Sequence, residues 1–355
     1  MSDARHHKEN AIIAIRKTVI AAGCTAVLLA TAAACGTVQN LTAGQKVDEA
    51  VDRLGEQKSL AFELDLDADA ATLEAMAGKA GTDEEMPPEF AKFLAGLRVE
   101  VSVKSKKALA DSGEKDIVGT SATVEGPEGV LVELRVVGDF TYYRVDMAAL
   151  GETMGMPMPT LDEIPESAKE FRKVFEGKWV KIDNSALEGA QESGSSSGGA
   201  GEGVDAKTQK KILDAVRGVI ARDVTFSTKD GGDGTEHVLA QANFRDLITA
   251  IIDKLGPLES ELPAGAELPT AKDLKDAPNK KVAVDFTLKN GDLKQVQVDL
   301  APLTEAAKGT KLPLVLKFTD AGDVSAPSGA TEIPADELPG GSSPFAGALL
   351  GGGAF

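Results

Sequence analysis

The chain has 355 residues, 26% of them charged and 42% hydrophobic, with aromatics at only 4%. That is enough for one large domain or two ordinary ones, with an aliphatic core of Val, Leu, Ile and Ala. A net charge of -18 excludes electrostatic binding to nucleic acid, and three His and two Cys are too few for most metal and nucleophile constellations.

At the N-terminus Arg16 and Lys17 precede an uncharged run from Thr18 to Ala34, and Cys35 and Gly36 follow at once. A basic region, a short apolar region and small residues before a boundary make a secretory signal. Ordinary cleavage after Ala34 and an uncleaved anchor fit the same residues, although an Ala-rich run of this length spans a bilayer only marginally. Residues Thr31-Ala32-Ala33-Ala34-Cys35 resemble a bacterial lipobox, with Ala32 where Leu is usual. The resemblance implies a Cys35 thiol that is acylated and becomes the new N-terminus. The expected layout is therefore a signal over 1–34 and a tether over 35–43. A folded domain over 44–324 and a disordered Pro/Gly/Ser-rich tail over 325–355 follow. Removing the signal takes His6, His7 and Cys24 with it. The mature chain then keeps His237 alone among histidines, no free thiol and no disulfide. The location that the lipobox resemblance implies is the extracytoplasmic face of the cell membrane, held by lipid.

In chain order, Gln45 to Lys58 reads as a helix, with Val47, Ala50, Val51 and Leu54 on one stripe. Leu60 to Asp67 alternates, with Phe62, Leu64 and Leu66 facing one way and acids the other. Ala68 to Gly96 is an Ala-rich excursion with a short helix opened by Pro87-Pro88. Strands then follow over Leu97 to Lys104, Ile117 to Glu125, Val130 to Val137 and Phe140 to Asp146. They form an antiparallel meander with one apolar face. A Met- and Pro-rich loop over 151–159 leads to a helix over Ile164 to Phe175. The short strand Lys178 to Asp183 holds the single Trp. Gly189 to Gly203 reads as a flexible loop. Asp205 to Ala221 is an amphipathic helix. Val224 to Thr228 and His237 to Ala242 form a hairpin around the loop 229–234. Asn243 stands where it can cap a helix carrying Leu247, Ile248, Ile251 and Ile252. Strands over Lys281 to Leu288, Leu293 to Leu300 and Leu312 to Phe318 complete the domain, the first two joined at Asn290-Gly291. Segregated helices and strands argue an α+β fold.

The segments Phe140-Thr141-Tyr142-Tyr143-Arg144-Val145-Asp146 and Gly177-Lys178-Trp179-Val180-Lys181-Ile182-Asp183 carry a resemblance. With the helix around Val47 to Leu54, Cys35 and the ending Leu316 to Pro327, they resemble the LolA-like and LppX/LprG-type lipoprotein superfamily. The excursion at Ala68 to Gly96, the Gly/Ser loop and the long tail depart from its pattern. The resemblance implies a strongly curved antiparallel sheet, a half-barrel with helices covering its concave face. It also implies an apolar space for a lipid or acylated ligand, and no catalytic residue. The residues alone fit a closed core and an open cavity equally; the resemblance favours the cavity. Lining candidates from alternation are Phe62, Leu64, Val101, Leu134, Val136, Leu247, Ile251 and Val284. Trp179 reads as a core residue. The expected partner is the membrane through the lipid, with a monomeric chain that needs no cofactor. The competing reading is an envelope structural or signalling lipoprotein that binds a protein and no small ligand.

Several motifs dissolve on inspection. Gly194-Ser195-Ser196-Ser197-Gly198 matches G-x-S-x-G but sits in a Gly/Ser run, and Ser112 to Lys115 matches S-x-x-K in a turn. Asp65, Asp67 and Asp69 lack the Gly and Glu of a calcium loop. Asp230, Asp233 and Glu236 could bind calcium weakly but read as a hairpin turn, and His237 reads as sheet surface. A carboxylate-pair hydrolase stays open as a class without an identifiable pair.

Overall fold

A computed structural model describes residues 38–79, 86–154, 172–185, 206–261, 268–270, 273–307, 309–322 and 324–334. The signal, Cys35, the Gly/Ser loop with its G-x-S-x-G match, most of the loop over 151–159, the first two-thirds of the helix expected over 164–175 and the chain beyond 334 lie outside the described residues.

The architecture is α+β, with a large curved sheet that does not close. Helices α1 (Val38–Glu56), α2 (Ala70–Lys79), α3 (Pro88–Gly96), α4 (Met147–Met154) and α5 (Arg172–Phe175) come first. Helices α6 (Ala206–Asp223) and α7 (Phe244–Leu255) follow. The early strands are β1 (Ser59–Leu66), β2 (Arg98–Ser105), β3 (Ile117–Gly126), β4 (Gly129–Val137), β5 (Phe140–Val145) and β6 (Val180–Asp183). The later ones are β7 (Thr225–Gly232), β8 (Thr235–Asn243), β9 (Lys281–Lys289), β10 (Asp292–Asp299), β11 (Pro313–Thr319) and β12 (Thr331–Glu332). All twelve form one sheet in the order β12-β6-β5-β4-β3-β2-β1-β11-β10-β9-β8-β7. Each pairing is antiparallel except β12 with β6.

Register turns the alternation of each strand into one continuous face. Val180, Tyr143, Leu134, Ala122, Val101, Phe62 and Phe318 stand in one cross-strand row. The neighbouring row holds Val124, Val99, Leu64, Leu316, Val296, Phe286 and Val238. Residues directly opposite across a pair share a face, so along these rows the face is apolar from β6 to β8. The opposite face carries Glu63, Asp65, Lys317, Glu133, Arg135 and Arg144.

Helices bury the apolar face in three patches. α1 lays Ala43, Val47, Ala50, Val51 and Leu54 on Leu60, Val238, Phe286, Leu288, Leu293 and Phe318. α4 and α5 close a second cluster of Tyr143, Val145, Met147, Val174, Val180, Ile182 and Ile333. α2 and α3 close a third, with Leu73, Ala91, Ala301, Ala307 and Leu312.

Four expectations are corrected. α1 begins at Val38, so residues 38–43 of the expected tether are helical; Ala43, fully buried, extends the inner stripe one turn further back. The expected six-residue loop at 229–234 shrinks to two residues. Asp233 and Gly234 sit at φ 50° and 72°, a type I′ hairpin turn, and the ladder runs on through Asp230 opposite Glu236. Asn243 occupies the N-cap position of α7 but makes no side-chain cap bond, because its backbone is still paired in the β8–β9 ladder. The tail does not start at Ser325. Residues 324–334 run on to the far edge of the sheet, where β12 pairs with β6 and Ile333 is buried. Their Pro/Gly/Ser composition hides two apolar anchors, Val324 and Ile333.

Candidate ligand-binding face

The apolar face is not uniformly sealed. Between the first and second clusters run β2, β3 and β4, whose Val99, Val101, Ala122, Val124 and Val136 are all half-buried. None of these five belongs to the three clusters. α3 closes one end of this strip. Gly96 lies against the Pro127 ring, and Gly126 lies against Leu131 and Phe93; an added Cβ on Gly96 would come within 2.7 Å of Pro127. The strip, called the groove below, is a half-covered aliphatic surface flanked by packed clusters on both sides. Charged side chains in the rows of this face are confined to the β7–β8 rim. There Asp230 faces Glu236, and Glu236 binds Lys46 of α1 at 2.5 Å.

All eight lining candidates are half-buried. Phe62, Leu64, Val101, Leu134, Val136 and Val284 stand on the apolar face. Of these, Phe62 and Val284 pack against the first cluster and Leu134 against the second, leaving Leu64, Val101 and Val136 along the groove. Leu247 and Ile251 are not brought beside them. They belong to α7, which packs on α6, β8 and the 3-10 turn Gly256–Glu261. β8 lies five strand spacings from β2, about 24 Å along the sheet. α7 has no fully buried residue. Val99, Ala122 and Val124 are groove residues that alternation marked as strand positions but could not place, since strand pairing is not written in any one strand.

Polar groups around the face are structural. Burial raises the pKa of the Tyr143 hydroxyl, which sits in the second cluster. Lys317 on the outer face is held charged by the Asp65 carboxylate at 2.6 Å, with Glu63 at 3.0 Å. Asp65 therefore serves an ion pair, and Asp69 accepts the Thr72 N–H at 2.7 Å at the start of α2. The Thr72 hydroxyl, and then its N–H, hold Asp69 below its ordinary carboxyl pKa. Ser112 of the S-x-x-K match is 2.6 Å from the Ser105 hydroxyl, in a loop bonded to itself. His237 lies on the outer face with Nδ1 3.1 Å from Asp285. Trp179 is not a core residue of the concave side: it lies half-buried on the outer face, with Arg135 and Arg144 stacked over its ring. Among the described residues, no group of three or more His, Cys, Asp or Glu is placed to hold a metal ion. No described helix is long and apolar enough to cross a membrane.

Two clefts lie elsewhere. One of about 330 Å³ opens where the last turn of α1 meets β10 and β11. Its floor is Leu54, Leu60, Leu293 and Phe318, and its mouth is Arg53, Asp292, Lys294 and Asp320. The other, about 480 Å³, is a polar hollow of α6 and α7 lined by Arg222, Arg245, Asp246, Asp253 and Lys254. None of the residues lining the first belongs to β2, β3 or β4, so it is separate from the groove.

No family model matches this chain, and no curated protein matches it. Among solved structures, the Mycobacterium tuberculosis lipoprotein LppX aligns with 79% of this chain and 97% of its own. The identity is 10% and the TM-score 0.29. The strand order and register, not that likeness, define the site.

Proposed function

We propose that this chain is a lipid-anchored protein of the extracytoplasmic membrane face that shelters the acyl chains of a lipid or another apolar molecule in the β2–β4 groove. One observation supports the reading above others: a strip of five aliphatic residues stands half-buried between two packed clusters, on a face with charge only at one rim. An acyl chain laid there leaves water at about 0.8 kcal/mol per methylene. Binding by burial alone needs no cofactor and no catalytic group, so the protein acts as a carrier or binder rather than an enzyme. Cys35 carries the anchoring lipid, and the acidic mature surface disfavours adhesion of the domain to anionic headgroups. The protein works as a monomer.

The reading is tested by purifying the chain without detergent and identifying bound lipid by native mass spectrometry and solvent extraction. A stoichiometric lipid that is lost in Val101→Asp supports it. A lipid-free folded protein with a stoichiometric protein partner in cell crosslinks overturns it in favour of a protein-binding role. Anchoring is tested separately, since Cys35→Ser is expected to shift the protein from the membrane to the soluble fraction.

A further inference from the structure

After β11 the chain leaves the sheet and crosses its outer face. The Gly322 N–H donates to the Ser102 hydroxyl on β2 at 3.2 Å. The Val324 carbonyl oxygen lies 2.8 Å from where a Cβ on Gly119 of β3 would stand, so only glycine fits beneath it. Arg135 of β4 donates to the Ser325 carbonyl at 3.1 Å. The segment then reaches the sheet edge. There the Thr331 N–H donates to the Trp179 carbonyl at 3.0 Å and the Ile333 N–H to the Lys181 carbonyl at 2.9 Å. Lys181 and Glu332 add an ion pair at 2.9 Å. This route follows one cross-strand row: Thr319, Ala61, Ser102, Ser121, Arg135, Tyr142, Lys181, Glu332. Small residues in and beside that row, Ala61, Ser102, Ser121 and Gly119, let the backbone lie close. Ser102 is buried under it at 1% exposure.

The chain length makes the crossing mechanical. Seven strand spacings separate β11 from β12, about 34 Å along a flat sheet. Thirteen residue steps, from Thr319 to Glu332, reach about 43 Å when fully extended, and a turn at Ser328–Gly329, with Gly329 at φ 75°, takes up some of that. On a curved sheet the outer path is longer. A stand-off of about 5 Å, half the spacing of stacked sheets, adds about 5 Å for each radian of bend. The slack left, under about 9 Å, is the extra outer path of a bend of under about two radians.

We propose that the chain after β11, residues 320–322 and 324–330, is a tie of fixed length across the convex face, anchored at β11 and at β6, which limits how far the sheet can curl and so sets the width of the groove on the other side. The inference is independent of what fills the groove and is tested on delipidated protein.

Nitroxides are placed at Asp139→Cys and Lys229→Cys, exposed positions on opposite flanks of the sheet, in the full chain with Cys24→Ser and Cys35→Ser. Pulsed electron resonance reads the distance between them. A five-residue Gly/Ser insert between Ala326 and Pro327 lengthens the tie without removing either anchor. Emission of Trp179, the single Trp, reports whether β12 stays docked. The insert is expected to shorten the mean distance and broaden its distribution, with Trp179 emission unchanged. Deleting 325–355 is expected to do the same more strongly. If that deletion unfolds the protein, the insert alone decides. A distance distribution unchanged by the insert overturns the proposal, whether or not the Trp179 emission moves.

Discussion

The two faces of the sheet are held by opposite means. The concave face is aliphatic and is closed by helices in patches, leaving the β2–β4 strip half-covered. The convex face carries ion pairs such as Lys317 with Glu63 and Asp65, and Glu133 with Arg135 and Arg144. It is crossed by a single stretch of backbone. The difference teaches where substitutions matter: burial carries the concave side, while on the outer face Lys317 and Arg144, at 43% and 41% side-chain exposure, leave their pairs open to screening by solvent.

The largest effect belongs to the closed half of the concave face. Phe318→Ala removes a ring packed under α1 and is expected to cost about 3–5 kcal/mol in denaturant unfolding. Equal losses from an outer-face truncation would break the comparison. Next comes the groove. Val101→Asp places a carboxylate on the open strip and is expected to cost about 1–3 kcal/mol, while abolishing lipid binding. A cost as large as that of Phe318→Ala would mean that the strip is packed core. Tyr143 sharpens the contrast through pH. Its folded pKa is raised above the ordinary value of 10.0 by burial, so the folded state keeps a proton that the unfolded state loses. Its contribution is intact below pH 10.0 and declines above it by up to about 1.4 kcal/mol per pH unit. Tyr143→Phe should abolish that alkaline slope in thermal melts. The smallest effect is on the outer face. Lys317 is raised by Asp65, so its share of stability is present below its ordinary pKa of 10.5 and lost as pH rises through the higher folded value. At 43% side-chain exposure, Lys317→Met should change stability at pH 7 by no more than about 1 kcal/mol.

Much of the concave side was legible in the sequence because alternation is a local property. Phe62, Leu64, Val101, Leu134, Val136 and Val284 share a face as the period-2 pattern requires, and the Asn290-Gly291 hairpin forms with both residues at positive φ. What alternation cannot state is which strands are neighbours. The groove is a property of β2, β3 and β4 together, and Val99, Ala122 and Val124 became groove residues only through pairing. Leu247 and Ile251 were drawn in by a strong amphipathic stripe, yet α7 turns that stripe to α6 and β8. Trp179 reads as a core residue from sequence, but two guanidinium groups hold it on the outer face. The convex crossing was hidden for a different reason. Pro, Gly and Ser near the C-terminus read as disorder, and small residues on an outer strand face read as solvated surface. They are instead the two halves of one contact.

The most direct test of the groove is the lipid content of the detergent-free protein, measured by native mass spectrometry for the parent chain, Val101→Asp and Lys317→Met. The reading given above predicts one bound lipid in the parent chain and in Lys317→Met, and none in folded Val101→Asp. Absence of lipid from the folded parent chain, or its retention in Val101→Asp, would contradict it.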